Sequence, residues 1–280
     1  MRPVAIITDS CCDLPPALVD RFGVTVVPLT FTIDDRTYRD GEITSSEFYR
    51  LMKAAPELPK TSQPPVGAFI EAYRMALETA SDVVSVNVSS KLSGTIDSAR
   101  EAAKRFGDRV HVIDSLNLSG GQGLQVFAGA RQAAMDSPLD VVVRAVESAR
   151  DRVEMIVGLD SLDNLSRGGR IGRVSAFFGG LLDLKVTLTV SDDGAFEPVA
   201  RTRGTQAALQ HTIDWVGQKM AGRSRGEFIV AHFEQPESAD WLRRQLERLY
   251  EVTDMYLVET GPVIATHCGT GWGVTALPAE

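Results

Sequence analysis

A two-domain α/β fold is predicted from three observations. Short apolar runs alternate with helical patterns through the first half of the chain, turn chemistry and antiparallel signals mark the second half, and the length of 280 residues suits about two domains. In the first half, residues 4–8 read as a buried strand, followed by a short helix over 15–22 with Asp13 as its cap. Residues 24–31 read as a second strand. Thr44-Ser45-Ser46-Glu47 is a capping box opening a helix that runs to Lys53. Val66, Phe69, Ile70, Tyr73 and Leu77 lie on helical spacing, predicting a helix over 66–79. Strands over 83–88 and 110–113 flank a helix over 94–106. Helices over 123–135 and 139–152 then lead to a strand over 155–159 that closes the half. Strands and helices alternating at this length imply right-handed crossovers and a mainly parallel, doubly wound sheet.

The second half reads as an α+β unit with antiparallel pairing. Residues 161–173 are polar and rich in Gly and Arg, and an apolar helix is predicted over 174–182. Residues 185–190 and 195–201 form a hairpin around Ser191-Asp192-Asp193-Gly194, with Asp-Gly as the turn signal. Amphipathic helices are expected over 205–220 and 241–250, and strands over 228–233, 255–258 and 263–266. The domains are placed at 1–158 and 159–280.

Composition narrows the function. Apolar residues make up 44% and charged residues 24%, which excludes disordered and collagen-like classes. Lys and Arg number 29 against 37 Asp and Glu, a net charge of −8, which disfavours a nucleic-acid surface. Small molecules and proteins remain as partners, with at most transient membrane contact. No run reaches the length of a membrane span, and the first apolar stretch is too short for a signal peptide. The three cysteines, Cys11, Cys12 and Cys268, show no metal-ligand spacing, so a cytoplasmic location is expected and no metal site.

Several motif matches fail in context. Gly222-Arg223-Ser224-Arg225-Gly226 matches a nucleophile elbow literally but lies between a helix and a strand, the wrong order. No P-loop occurs. Gly121-Gln122-Gly123 lacks the third glycine of a dinucleotide fingerprint.

Four segments survive. Ser89-Ser90-Lys91-Leu92-Ser93-Gly94-Thr95 joins a strand to a helix at the carboxyl edge of the sheet, where open α/β folds bind ligands. Helix N–H groups and the hydroxyls of Ser93 and Thr95 suit a carboxylate or phosphate, with Gly94 allowing close approach; an ordinary Ser N-cap explains the segment equally well. Thr61-Ser62-Gln63-Pro64-Pro65 offers two more hydroxyls beside a helix start, and by itself is more often a cap. Leu165-Ser166-Arg167-Gly168-Gly169-Arg170-Ile171 reads as a planar-anion site or as a solvated linker. His267, expected at a strand end and followed by Cys268-Gly269-Thr270-Gly271, can donate to an anion or shuttle a proton, although a lone His is usually structural.

Together these residues resemble the DegV family, which includes the fatty-acid-binding B subunits of bacterial fatty acid kinases. The resemblance opens with Thr8-Asp9-Ser10-Cys11-Cys12-Asp13-Leu14-Pro15. It continues through Tyr38-Arg39-Asp40-Gly41, Thr61-Ser62-Gln63-Pro64, Ser93-Gly94-Thr95, Asp114-Ser115 and Leu165 to Ile171. It ends with Gly261-Pro262-Val263-Ile264 and His267-Cys268-Gly269. It implies two α/β domains with a fatty-acid tunnel between them. The carboxylate would sit at Thr61, Ser62, Ser93, Gly94 and Thr95, with His267 close by and Arg170 near the head group on the partner-facing surface. It implies a substrate-binding subunit rather than an enzyme, with no cofactor beyond the bound long-chain fatty acid. A separate ATP-binding kinase subunit would make the acyl phosphate that feeds phospholipid synthesis. Cys268 and Thr270 replace the family's usual Thr and Pro, and Val186 replaces a usual Pro. Trp272 stands at a usually small position and is expected to narrow or reshape the site.

A fatty acid needs a long dry pocket with one polar anchor. Candidate lining is Ile156, Leu159, Leu162, Phe177, Phe178, Leu181, Leu182 and Leu184, each of which reads equally as plain core. Burying about fifteen carbons at about 0.8 kcal/mol each supplies roughly 12 kcal/mol gross. Each hydrogen bond to the charged head nets only about 1.5–3 kcal/mol, so the tail dominates affinity and the head sets orientation. Two other readings compete: a hydrolase or phosphotransferase using Ser93 with His267, and a binding protein for another small carboxylate or phosphate.

Overall fold

The computed structural model describes residues 2–177 and 184–279. In chain order the first elements are β1 (Arg2–Asp9), α1 (Pro16–Phe22), β2 (Thr25–Val27), β3 (Thr30–Ile33), β4 (Arg36–Arg39), α2 (Ser45–Ala54), β5 (Lys60–Ser62), α3 (Val66–Ala76) and β6 (Ala80–Asn87). Next come α4 (Thr95–Ala103), β7 (Val110–Asp114), α5 (Ser119–Ala134), α6 (Leu139–Arg152), β8 (Glu154–Leu159) and α7 (Asp163–Arg167). The remainder is β9 (Leu184–Val190), β10 (Phe196–Arg203), α8 (Thr205–Met220), β11 (Arg225–Phe233), α9 (Pro236–Leu249), β12 (Glu251–Glu259), α10 (Pro262–Cys268) and β13 (Gly271–Pro278).

The first sheet runs β2-β1-β6-β7, with every pairing parallel. Its strands are apolar on both faces because helices cover both. Ala5, Ile7 and Val83 pack with Phe69, Tyr73 and Ala99 on one side, while Val4, Ile6 and Val84 pack with Val126, Val142 and Val146 on the other. This is the doubly wound arrangement expected from the alternation. The predicted strand over 24–31 divides instead into β2 and β3. The second of these joins β4 and β5 in a small antiparallel sheet. The capping box forms as read, with Thr44 Oγ1 accepting the Glu47 N–H at 3.1 Å.

The second sheet runs β10-β9-β8-β13-β11-β12. Its pairings are antiparallel except β11–β12, which is parallel. The 185–190/195–201 hairpin is present as β9–β10. Several expectations are corrected here. The strand over 155–159 belongs to this second sheet, between β9 and β13, and so does not close the first. The predicted strand over 263–266 is the helix α10; Pro262 at its first position and Gly261 before it set a helical start that a run of Val-Ile-Ala-Thr disguised. Residues 271–278, given no element from the sequence, form a buried strand at the middle of the sheet. Asp13 also does not cap α1: its backbone is left-handed and its carboxylate reaches elsewhere. Of the helix predicted over 174–182, a 3₁₀ segment covers Gly172–Phe177, and the rest lies outside the described residues.

One helix joins the two sheets. Val126 and Ala130 of α5 pack on the first sheet, whereas Leu124 and Phe127 pack with Ile229 and Ala231 of the second. Glycines make the approach possible. A Cβ on Gly120 would lie 2.6 Å from Thr275 Oγ1 and 3.0 Å from Ile229 Cβ, and one on Gly123 would lie 2.7 Å from the Cys12 carbonyl oxygen. Gly123, one of the glycines of the broken nucleotide fingerprint, therefore serves packing.

Candidate functional site

The polar groups singled out in the sequence meet at one place. β5 is an edge strand of the small sheet, and its alternation turns Thr61, opposite buried Phe31, inward. The chain then crosses to the loop after β6, which delivers Ser93 at the start of α4. The last turn of α10 brings His267. Thr61, Ser93, Arg170 and His267 all border one cavity whose other walls include Leu29, Val88, Leu118, Phe196 and Ile264.

Hydrogen bonds hold these groups in place. His267 Nε2 lies 2.8 Å from Thr61 Oγ1. Its Nδ1 is buried against Gly168, without a hydrogen-bond partner. Burial first, and then the nearby Arg170 charge, push the imidazole pKa down to about 4, so the ring is neutral at neutral pH. The Ser93 hydroxyl lies 2.8 Å from Thr95 Oγ1 and accepts the Thr95 N–H at 3.2 Å. Arg170 donates from Nε to the Leu92 carbonyl at 3.1 Å and from a terminal nitrogen to the Gly168 carbonyl at 2.7 Å. That guanidinium bridges the loop after α7 to the loop before α4, beside the cavity. Ser93 and His267 thus have different partners and form no nucleophile–base pair.

The other predicted residues divide. Gly94 and Thr95 support the site from behind: Thr95 is fully buried, and Gly94 lies under the Gln63 side chain, where a Cβ has no room. Ser62 alternates away from the cavity and is exposed. Leu159 borders a second cavity that shares Leu118, Phe196, Ile264 and Cys268 with the first. Ile156 is corrected, because period-two alternation turns it to the opposite face of the sheet, among Trp215, Val216 and Phe228. Leu184 begins β9 opposite Arg203 and borders neither cavity. Leu162 is buried in the core that surrounds the cavities. Phe178, Leu181 and Leu182, with the Phe177 side chain, lie outside the described residues. Trp272 borders the inner cavity, but its indole packs over Gly158 on the far face and donates to Thr212 Oγ1 at 3.2 Å, so it does not fill the site.

Sequence reading missed the inner walls: Met155 and Val157 of β8, Ala231 and Phe233 of β11, and Gly271 and Gly273 of β13. The parity of Met155, Val157 and Leu159 was the available signal. Cys11 and Cys268 also border the outer cavity, and burial pushes the Cys268 thiol up to about 12, so it is a packing group. Among the described residues, no His, Cys, Asp and Glu side chains cluster as a metal site, and no helix is long and apolar enough to cross a membrane.

Two acids, buried Asp13 and half-buried Asp40, stand close by. Asp13 is 9% exposed, and burial raises its pKa to about 7 despite hydrogen bonds from Ser119 and Gly261. Burial likewise raises Asp40 to about 6. Between about pH 4 and these values, the native chain holds protons that an unfolded chain has released, so stability falls as pH rises through that window. His267 acts with the opposite sign between 6.5 and about 4, because only the unfolded chain takes its proton there. Urea unfolding at pH 5 and pH 7.5 is expected to show Asp13→Asn losing less stability over that interval than the wild type, by about 1–2 kcal/mol. Parallel curves for the two proteins would refute the burial-raised acid.

A cavity lined mainly by apolar side chains and polar at one end, set in a two-domain α/β fold, defines an α/β protein with a candidate ligand pocket. The sequence model of the DegV family, described as uncharacterised proteins, matches residues 3–279, and the chain belongs to that family. A DegV domain-containing protein of Lactococcus lactis is 32% identical, over 97% of this chain and 98% of its own. A DegV family protein of Thermus thermophilus, described for its fatty acid binding, is 35% identical over 100% of both chains, with a TM-score of 0.94. The fatty acid kinase B3 protein of Streptococcus pneumoniae, solved loaded with linoleic acid, shares the fold at 22% identity and a TM-score of 0.86, covering 99% of this chain and 100% of its own.

Proposed function

We propose that this protein holds a long-chain fatty acid, with its carboxylate at Thr61, Ser93 and His267 and its tail in the two contiguous cavities. The observation that carries the reading is the convergence of those three side chains, from elements far apart in sequence, on one end of an otherwise apolar chamber. Fatty acid binding by the Thermus relative supports it. A neutral imidazole donating from Nε2 to Thr61 leaves the threonine O–H free to donate to an anion, and Ser93 stands ready as a second neutral donor. Neutral donors hold a carboxylate without a tight ion pair, which preserves its nucleophilicity. Denaturing the purified protein, extracting it and identifying the acids by mass spectrometry is expected to yield a long-chain fatty acid. Recovering none, together with failure to take up added hexadecanoate, would leave a binding protein for another small carboxylate or phosphate.

The finer reading is a cytoplasmic carrier that presents the carboxylate to a separate ATP-binding kinase subunit for acyl-phosphate formation, feeding phospholipid synthesis. Its support is Arg170 on the cavity lining beside Ser93 and His267, where a cation stabilises charge as a phosphoryl group arrives. With such a kinase subunit present, Arg170→Ala is expected to lower acyl-phosphate formation more than fatty-acid binding. Equal losses in both would reject that role.

A further inference from the structure

Helix α10 supplies Val263, Ile264, His267 and Cys268 to the cavity walls, yet it has only seven residues. A helix that short does not hold its own conformation or direction in water, so outside contacts must set its axis. At its N-terminal end, Asp13 Oδ1 accepts the Gly261 N–H at 3.0 Å and Asp40 Oδ1 accepts the Val263 N–H at 3.3 Å. The second Asp13 oxygen accepts from Ser119 Oγ at 2.6 Å, which ties the same carboxylate to the first turn of α5. Gly261 is wedged between the acids: a Cβ there would lie 3.3 and 3.5 Å from the Asp40 oxygens and 3.6 Å from Asp13 Oδ1. At the other end, Asn164 Nδ2 donates to the Thr266 carbonyl at 2.8 Å. The helix is thus suspended from two carboxylates at one end and an amide at the other. One turn beyond the acids it presents His267 to Thr61.

We infer that Asp13 and Asp40 are positioning residues for the ligand site: they fix the direction of α10 and so keep the His267 ring against Thr61. Neither acid borders the outer cavity, so neither is among its contact groups. Both instead border a separate cleft beside α1 and α2. Asp40 carries the cleaner test, because Asp13 is more deeply buried and its removal risks the fold. Asp40→Ala deletes the acceptor for Val263, whereas the amide oxygen of Asp40→Asn can still serve it.

The inference rests on the fatty-acid reading for its ligand alone, and the experiment separates the two. In ligand-free protein, the ¹⁵N resonances of the His267 imidazole are followed through a pH titration. Asp40→Ala is expected to move the Nε2 shift toward that of a hydrated ring and to raise the titration midpoint, while Asp40→Asn stays near the wild type. With hexadecanoate, Asp40→Ala is expected to raise Kd about tenfold, a coupling of about 1.4 kcal/mol, and Asp40→Asn by less than about threefold. In a His267→Ala background, Asp40→Ala is expected to change Kd by less than about threefold. An unchanged His267 spectrum in a folded Asp40→Ala protein, or equal losses in the two backgrounds, overturns the inference. Absence of hexadecanoate binding by the wild type overturns the fatty-acid reading instead and leaves the spectroscopic test standing.

Discussion

Gly273→Leu is expected to weaken hexadecanoate binding by about three orders of magnitude while leaving octanoate binding nearly unchanged. Gly273 lies at the inner cavity with Val157 and Ala231. A Cβ there would have only ordinary or slightly close neighbours, at 3.3 Å from Val157 Cγ1 and 4.0 Å from Ala231 Cβ. Trp272 and Val274 point to the other face of β13, so a side chain at 273 enters the chamber. Displacing about six methylenes at about 0.8 kcal/mol each removes close to 5 kcal/mol, which is about a thousandfold or more in Kd. The short acid keeps the whole head-group site and never reaches residue 273. Isothermal titration with both acids makes the comparison. Because the leucine fills existing space, thermal stability should hold or rise. Equal affinity of mutant and wild type for hexadecanoate would mean that the tail runs elsewhere.

The second large effect concerns stability. Gly120→Val is expected to lower the unfolding free energy by about 3 kcal/mol, at the upper end of ordinary overpacking costs. Its Cβ would meet Thr275 Oγ1 at 2.6 Å and two Ile229 side-chain atoms at 3.0 Å. Ile229 Cβ is fixed to the backbone of a central strand, so relief requires the helix and sheet to part. Gly67→Ala, at an exposed position of α3, is the contrast. No atom lies within 4 Å of a Cβ there, and replacing a helical glycine should gain up to about 1 kcal/mol. Urea midpoints for both variants measure the difference. A Gly120→Val protein as stable as the wild type would show that α5 is not a tight spacer.

Much of this architecture was legible in the residues. The parallel sheet followed from runs bounded by helical spacing, and the β9–β10 hairpin from Asp-Gly. Thr61, Ser93, Arg170 and His267 were chosen for chemistry, and the fold gathers them at one cavity. What escaped has physical causes. α5 is buried toward two sheets at once, so it has no polar face to give a helical period over its first turns. α10 carries β-branched residues in a helix whose caps come from Asp13 and Asp40, more than two hundred positions away in sequence. β13 begins Gly-Trp-Gly, a pattern that resembles a loop until Gly158 is found beneath the indole. Ile156 was placed by apolarity alone, and only the pairing of β8 with β9 and β13 decides which face of that strand meets the chamber.

Because α5 is a party wall with a face in each half, a clam-shell opening would strip both halves of their packing at the same time. A molecule held in the cavity would then exchange through local breathing of its walls, such as those that carry Arg170 and His267. Exchange should be limited by that small-scale gating, and a covalent staple between the halves far from those walls should leave it untouched.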